Sequence, residues 1–228
     1  MAGAGARRIS GAQFVYQHLR DQIISLALAP GTRLSEVELA ADLGVSRTPV
    51  REGLNRVLSE DLIEQGPTGG MFVRSLDPDD LRELYTVRSV LEGVIAREAA
   101  ENATERDITE LRDLMEKMSL LIEHAGEVVR LGSEFHAALA RIAGNRRVSQ
   151  LLQQIRGHIQ RYRNLTTQSQ GRRRAAIVEH RAIFEAIAAR SGASAEYQMR
   201  LHVESACAEA LTSAGERLAP SSDGATDE

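Results

Sequence analysis

Between Pro30 and Val73 the helix stops and starts fall so close together that few folds can absorb them. Phe14, Val15, Leu19, Ile23 and Ile24 recur at helical spacing, and Pro30-Gly31 ends that helix. Ser35-Glu36-Val37-Glu38 has the form of a capping box, in which the serine hydroxyl caps the third amide and Glu38 reaches back. A short helix through Leu39, Ala40 and Leu43 follows, ended by Gly44, the residue best able to take a left-handed turn. Ser46 reads as the N-cap of a third helix, with Pro49 in its first turn where a missing N–H costs little. Val50, Leu54, Val57 and Leu58 make its inner face. Leu62-Ile63-Glu64-Gln65 and Met71-Phe72-Val73 bracket Gly66-Pro67-Thr68-Gly69-Gly70, the pattern of a small hairpin. Three helices and a hairpin in this order describe a winged helix-turn-helix. It is expected over residues 13–74, after a flexible start at residues 1–12.

Asp77-Pro78 opens a second block with an N-cap and a proline at the first helical position. From there to Leu218 the periodicity is helical, with almost no strand signal. Helices are expected over 78–102, 104–124, 127–143, 146–167, 171–190 and 193–217. The breaks fall at Asn102-Ala103, Ala125-Gly126, Gly144-Asn145, Ser169-Gln170-Gly171 and Ser191-Gly192. Their lengths and short connections suit an antiparallel all-α bundle over residues 78–218. Residues 219–228 are polar and are expected to be a disordered tail. The expected fold is therefore mainly α, a winged helix-turn-helix followed by a helical bundle.

Composition removes several classes. No apolar run approaches the roughly 18 residues a membrane helix needs. The first eight residues lack the apolar core of a secretory signal, so a cytoplasmic location is expected. A single cysteine, Cys207, excludes an internal disulfide framework and any multi-cysteine zinc module. The formal net charge is -4, and the first 75 residues hold eight arginines against eight acids. Charge alone therefore gives no hint of nucleic acid.

Local chemistry gives more. If Ser46 caps the third helix, Arg47, Thr48 and Arg51 lie at its exposed N-terminal end, the end that enters the major groove in a helix-turn-helix. Arginine there donates two hydrogen bonds to guanine, while hydroxyls and free helix amides suit phosphate. Read alone, the stretch is more simply a solvated helix start whose arginines offset Glu52 and nearby acids, since Ser-x-x-Pro helix starts are common. The full order of helix, Pro-Gly, capped short helix, Gly turn, Arg-bearing helix and wing favours DNA. The residues Pro30-Gly31-Thr32-Arg33-Leu34-Ser35-Glu36, Leu39-Ala40 and Leu43-Gly44-Val45-Ser46-Arg47-Thr48-Pro49-Val50-Arg51-Glu52 closely resemble the DNA-binding domain of GntR-family bacterial transcription regulators. The resemblance implies operator contacts from Arg33, Ser46, Arg47, Thr48 and Arg51, and from Thr68 and Gly69 in the wing. Members often carry arginine where this chain has Gly66 and Gly69, which implies wing contacts that are weaker or made purely by backbone.

In the second block Arg88 lies on the apolar stripe of Leu81, Leu84, Leu91, Ile95 and Ala99. A guanidinium on a core face needs an anion. Glu92, one turn on, can supply it; alternatively Arg88 faces a cavity and clamps a ligand carboxylate. Five of the six histidines also fall here: His124, His136, His158, His180 and His202. Inward imidazoles on separate helices can meet in a bundle core and hold a divalent metal, although a single core histidine is more often simply a packed one. His158, beside Ile155, Ile159 and Tyr162, reads as lining the same cavity.

Arg88-x-x-x-Glu92, Glu134-Phe135-His136, Gly144-Asn145, Glu179-His180-Arg181-x-Ile183 and His202 resemble the FCD-type effector domain of the FadR subfamily of GntR regulators, in its six-helix, VanR-like variant. That resemblance implies a metal, zinc first and nickel or manganese next, on His136, His180 and His202. It also implies a small carboxylate effector near Arg88 and His158. The aspartate that usually stands one turn before the first histidine is replaced by Gly132.

A hydrolytic zinc site would want a general base near the metal. Glu134 and Glu179 are each placed to point away from the histidine beside them. No Gly-x-Ser-x-Gly and no phosphate-binding glycine loop is present, and Cys207 has no base partner. An enzyme is not expected. The expected function is a homodimeric, nucleoid-associated regulator, most simply a repressor, that binds a palindromic double-stranded operator under control of a carboxylate effector, away from any membrane. The competing class is a DNA-associated scaffold whose helical part binds a protein.

Overall fold

The computed structural model describes residues 9–67, 69–166 and 170–218. Part of the expected flexible start, the expected tail at 219–228, and Thr68 of the wing lie outside the described residues. The chain divides into two compact units, Met1–Leu76 and Asp77–Glu228.

The first unit is built on α1 (Gly11–Ile24), α2 (Glu36–Asp42) and α3 (Arg47–Ser59). Ser10 caps α1 by accepting from the Gln13 N–H at 3.1 Å. Val15, Leu19 and Ile23 of α1 face Val50, Leu54 and Val57 of α3 in a core closed by Leu34, Leu62, Ile63 and Val73. The stripe is narrower than the sequence suggests: Phe14 is exposed and tilts against His18. A four-residue repeat buries one edge of α1, and Phe14 lies about 100° around the helix from Val15. Ser35 accepts from the Glu38 N–H at 3.4 Å, the serine half of the expected box. Gly44 takes φ +64 between α2 and α3, a conformation that a side chain would strain. Strands β1 (Arg33–Leu34), β2 (Ile63–Gln65) and β3 (Met71–Val73) form an antiparallel sheet in the order β1-β3-β2. Arg33 pairs with Phe72, and Glu64 pairs with Phe72 from the other side. The β2–β3 turn closes through Gly69 and Gly70, both at positive φ. This is a winged helix-turn-helix with one short strand, β1, that two residues were too few to announce.

The second unit is helical throughout its described residues: α4 (Pro78–Asn102), α5 (Glu105–Leu120), α6 (Ala125–Ala143), α7 (Arg146–Thr166), α8 (Gln170–Ala188) and α9 (Gly192–Leu218). Asp77 caps α4 through the Asp79 N–H at 2.8 Å, with Pro78 opening the helix. α4 runs through the centre, against α6, α7, α8 and most extensively α9. Where α4 and α9 meet, a Cβ at Gly93 would stand 3.1–3.2 Å from Arg200 and Glu196, so the absent side chain sets the closeness of the pair. Three breaks differ from expectation, Gln170-Gly171 and Gly192 opening α8 and α9 rather than preceding them. α5 ends at Leu120, a turn follows through His124, and Ala125-Gly126 already belongs to α6. Glycine in a first turn interrupts no ladder, because those amides have no intrahelical partner. Among the described residues no helix is long and apolar enough to cross a membrane.

Candidate functional site

Two sites emerge, one in each unit. In the first, Ser46 takes the N-cap position of α3 with φ -74 and ψ 167, yet its side chain makes no cap hydrogen bond. The hydroxyl and the first amides of α3 are thus left for an incoming group. Arg47 and Arg51 project one turn apart, each with side chains 62% exposed. Both reach the same carboxylate. Arg51 donates from Nε and Nη2 to Glu36 at 3.1 Å each, and Arg47 donates to it at 3.4 Å. The hydrogen bond from Arg51 is the main reason that the Glu36 carboxyl sits below its ordinary pKa. Thr48 is exposed beside them. Arg33, exposed on β1, has its Nε near Gly70 of the wing, and Gly69 is exposed at φ +86. At Gly66 a Cβ would collide with the Phe72 ring at 2.5 Å, so a side chain there would displace Phe72.

The second site lies among α4, α6, α8 and α9. His136, His180 and His202 each offer a ring nitrogen, all within 4.8 Å of one another. Nε2 of His136 and Nε2 of His180 are 3.2 Å apart, and the ring centroids of the three lie 4.5–5.3 Å apart. Zn–N bonds of about 2.1 Å arranged tetrahedrally separate two ligand atoms by about 3.4 Å, so the His136–His180 spacing fits a shared ion. Outside the cluster stand two carboxylates. Glu92 faces Nδ1 of His136, and Glu179 meets Nδ1 of His202 at 2.7 Å. Each leaves Nε2 free to turn inward, the arrangement that commonly orients metal-binding imidazoles. Burial drives the His202 imidazole down to about 4, which keeps it neutral and able to ligate. Burial alone would raise Glu179, but hydrogen bonds from His202 and Arg172 outweigh it and hold the carboxyl at about 2.

Arg88 is 3% exposed and pairs with the carboxylate one turn on. Its Nε donates to Glu92 at 2.6 Å, while Nη1 is buried with no hydrogen-bond partner among the described residues. The guanidinium also lies 5.1 Å over the Tyr85 ring. Desolvation would lower its pKa, but Glu92 beside it more than compensates, so the ion pair persists in the core. Glu92 is held well below the carboxylate range: burial opposes this, and His136 and Arg88 together win.

Two chambers adjoin the cluster, and Arg88 lines both. The larger, about 140 Å³, is also lined by Glu92, Ser133, His136, Arg156 and a group of apolar side chains. The smaller, about 60 Å³, is lined by Gly132, Arg172, Arg173, His180 and His202 among others. His158 is half-buried and lines neither chamber, contrary to its expected place. The face of α7 turned to the larger chamber carries Ser149, Leu152, Gln153, Arg156 and Gln160, and residue 158 is rotated away from it.

Glu134 does turn outward, pairing with Arg130. Glu179 turns from its neighbour His180 but meets His202 on the adjoining helix, with Arg172 and Ser205 as further partners. The Arg88–Glu92 pair was read from the sequence, but the contact of Glu92 with His136 and those of Glu179 and Arg172 were not. The 92–136 and 179–202 pairings join different helices, and helical periodicity is blind to them.

Residues 83–205 match the FCD domain family, and residues 12–73 match the bacterial regulatory proteins, gntR family. The Nta operon transcriptional regulator of Aminobacter aminovorans is 40% identical over 141 residues, covering 61% of this chain and 66% of the relative. The HTH-type transcriptional repressor RspR of Escherichia coli is 28% identical over 84% of this chain and 85% of the relative. The solved structure of E. coli McbR/YncC superposes with a TM-score of 0.73 at 24% identity, covering 90% of this chain and 98% of that one, which is agreement of fold.

Proposed function

The chain belongs to the GntR family of bacterial regulatory proteins and carries an FCD domain, so it is a DNA-binding transcription regulator and not an enzyme; on that premise we propose that it is a repressor, of the FadR subfamily and its VanR-like branch, released from its operator by a small carboxylate. The observation that carries this reading is the buried Arg88, whose unpartnered Nη1 stands at the chambers beside three clustered histidines. A buried N–H donor without a partner is costly, and an anionic oxygen removes that cost. Six helices among the described residues of the second unit support the VanR-like assignment. The repressor relative supports the sign of the response.

His136, His180 and His202 would hold a divalent ion, with zinc favoured by three neutral imidazoles. When bound, the ion supplies a Lewis-acid anchor for carboxylate oxygen. The protein's own part is orientation. Glu92 and Glu179 fix two of the imidazoles from behind, and Gly132 lines the smaller chamber. In the DNA-binding unit Arg47, Thr48 and Arg51 would read base edges while Ser46, Arg33 and the Thr68-Gly69 wing meet phosphates. A homodimer would place two such helices in successive major grooves of a palindrome. Exposed Val87 and Val90 on α4, with Tyr197 and Leu201 on α9, support self-association of the helical unit.

Elemental analysis of the full chain, purified without a metal column, tests the centre. About one zinc, nickel or manganese ion per chain is expected, and His180→Ala should lose it while keeping its helical circular dichroism. Metal-free protein that stays metal-free in excess zinc would remove the ion from this reading. Arg88→Ala should then weaken the effector response far more than operator binding. A helical unit that no carboxylate stabilises would favour a protein-binding scaffold instead.

A further inference from the structure

The exposed face of α3 continues past Arg51. Val50, Gly53, Leu54 and Val57 are the buried residues of this helix, while Thr48, Arg51, Glu52, Asn55 and Arg56 are exposed. At about 100° per residue, Thr48 and Asn55 fall within about 20° of one another, and both stand roughly opposite the buried stripe. Arginines flank this outward line and are already engaged. Arg47 and Arg51 lean toward α2, where Glu36 accepts from both. Arg56 leans toward α1, donating to Gln13 at 2.7 Å and lying 4.1 Å over the Tyr16 ring. Between them the Asn55 side chain makes no hydrogen bond among the described residues. Asparagine is a weak helix former, because its amide competes for backbone hydrogen bonds, and an exposed helix interior is better served by alanine, glutamate or lysine. No contact within the described residues of the first unit accounts for asparagine there.

A helix lying along a major groove reads bases with side chains at i, i+3, i+4 and i+7. Thr48, Arg51, Glu52 and Asn55 have that spacing. Each has a base-edge partner: the thymine methyl for threonine, guanine for arginine, the cytosine N4 amine for glutamate and adenine for asparagine. Thr48 and Asn55 are about 10 Å apart along the helix axis, about three base-pair steps. We propose that Asn55 is a specificity-determining residue of the DNA-binding unit. Its side-chain N–H donates to N7 of an adenine, and its side-chain oxygen accepts from the N6 amine of the same base, at one base pair of each half-site. This rests on the reading of α3 as the helix that enters the groove, and it extends the base-reading surface one turn beyond Arg51.

Selection of duplexes from a random pool by the full chain, with the parent, Asn55→Ala and Arg51→Ala side by side, is the test. The parent should enrich a half-site containing an adenine that becomes degenerate with Asn55→Ala, while the rest of the half-site is kept. On the duplex selected by the parent, Asn55→Ala should bind on the order of tenfold more weakly, and on random duplex equally well. Its melting temperature should be unchanged or higher, since alanine is the better helix former at an exposed position. Loss of specificity without loss of stability is a result that a purely structural asparagine would not give. Asn55→Gln, which keeps the amide, should retain part of the adenine preference. An unchanged half-site from Asn55→Ala, beside one altered by Arg51→Ala, overturns the assignment of Asn55 while the reading helix stands. Equal weakening on selected and random duplex makes Asn55 a phosphate contact and overturns the assignment as well. If the parent enriches no sequence, or neither variant alters the half-site, α3 does not read bases and the inference falls with the reading it rests on.

Discussion

Glu36 holds both arginines of the first turns of α3, and exposed ion pairs of this kind stabilise a fold very little. On the proposed reading of DNA by the start of α3, the arrangement has a consequence. A long arginine side chain must be ordered to make two hydrogen bonds to guanine, and the Glu36 carboxylate orders Arg51 beforehand through its own two-toothed bond. Its negative charge also repels phosphate, which weakens binding to any sequence equally. Glu36→Gln should therefore raise affinity for random duplex and narrow the ratio between selected and random sequence. Arg51→Ala should cut that ratio on the order of tenfold while the protein remains folded. Titrations on a duplex selected from a random pool and on its scrambled version, at several salt concentrations, measure both. An unchanged ratio in both variants would move the reading helix elsewhere. The stretch from Ser46 to Arg51 was legible in the sequence because cap, proline and arginines are adjacent. Glu36 was visible only as part of a cap, since the arginines it holds lie 11 and 15 residues onward, across the Gly44 turn.

A few adjacent residues can decide a helix start, and α5 shows how, although its cap was not read from the sequence. Thr104 accepts from the Asp107 N–H at 3.2 Å, and Asp107 accepts in return from the Thr104 N–H at 2.9 Å. Asp107 also receives Arg141 from α6 at 3.0 Å, so one side chain both starts a helix and ties it to its neighbour. The Thr104 hydrogen bonds, with Arg141 adding to them, lower its carboxyl to about 2. A depressed acid stabilises the folded state in full above its unfolded pKa near 3.8, and that contribution fades as pH falls toward 2. Asp107→Ala should cost about 1 kcal/mol at neutral pH, near 2–4 °C in melting temperature. The gap between variant and parent should shrink below pH 4; a gap that persists there would assign the loss to packing. Other caps and stripes were legible because they are local. The half-formed box at Ser35, the two-residue β1 and the early end of α5 were less so, since each is decided by what packs against it. The same holds for His158, whose spacing fits an inner face but whose side chain misses both chambers.

At the scale of the whole chain, two compact units divide between Leu76 and Asp77, and the proposed recognition and control fall one to each. Arg88 and the histidines announced a polar centre because charge on an apolar stripe demands a partner. The two chambers had no such signal, being made by helix spacing rather than by any residue. A carboxylate that releases the operator must bind the DNA-incompetent arrangement better than the competent one, since equal affinity for both shifts nothing. Linkage then fixes a second quantity. If a saturating carboxylate effector weakens operator binding by some factor, saturating operator must weaken binding of that effector by the same factor. Coupling between sites is typically about 5–150-fold, which fluorescence anisotropy on labelled operator and calorimetry on the effector can both resolve. Equal factors in the two titrations are expected. Arg88→Ala should lower the affinity for the carboxylate while leaving intrinsic operator affinity unchanged. Operator loss in that variant without ligand would mean that the buried Arg88–Glu92 pair supports the DNA-competent state itself, and that the ligand acts by breaking the pair.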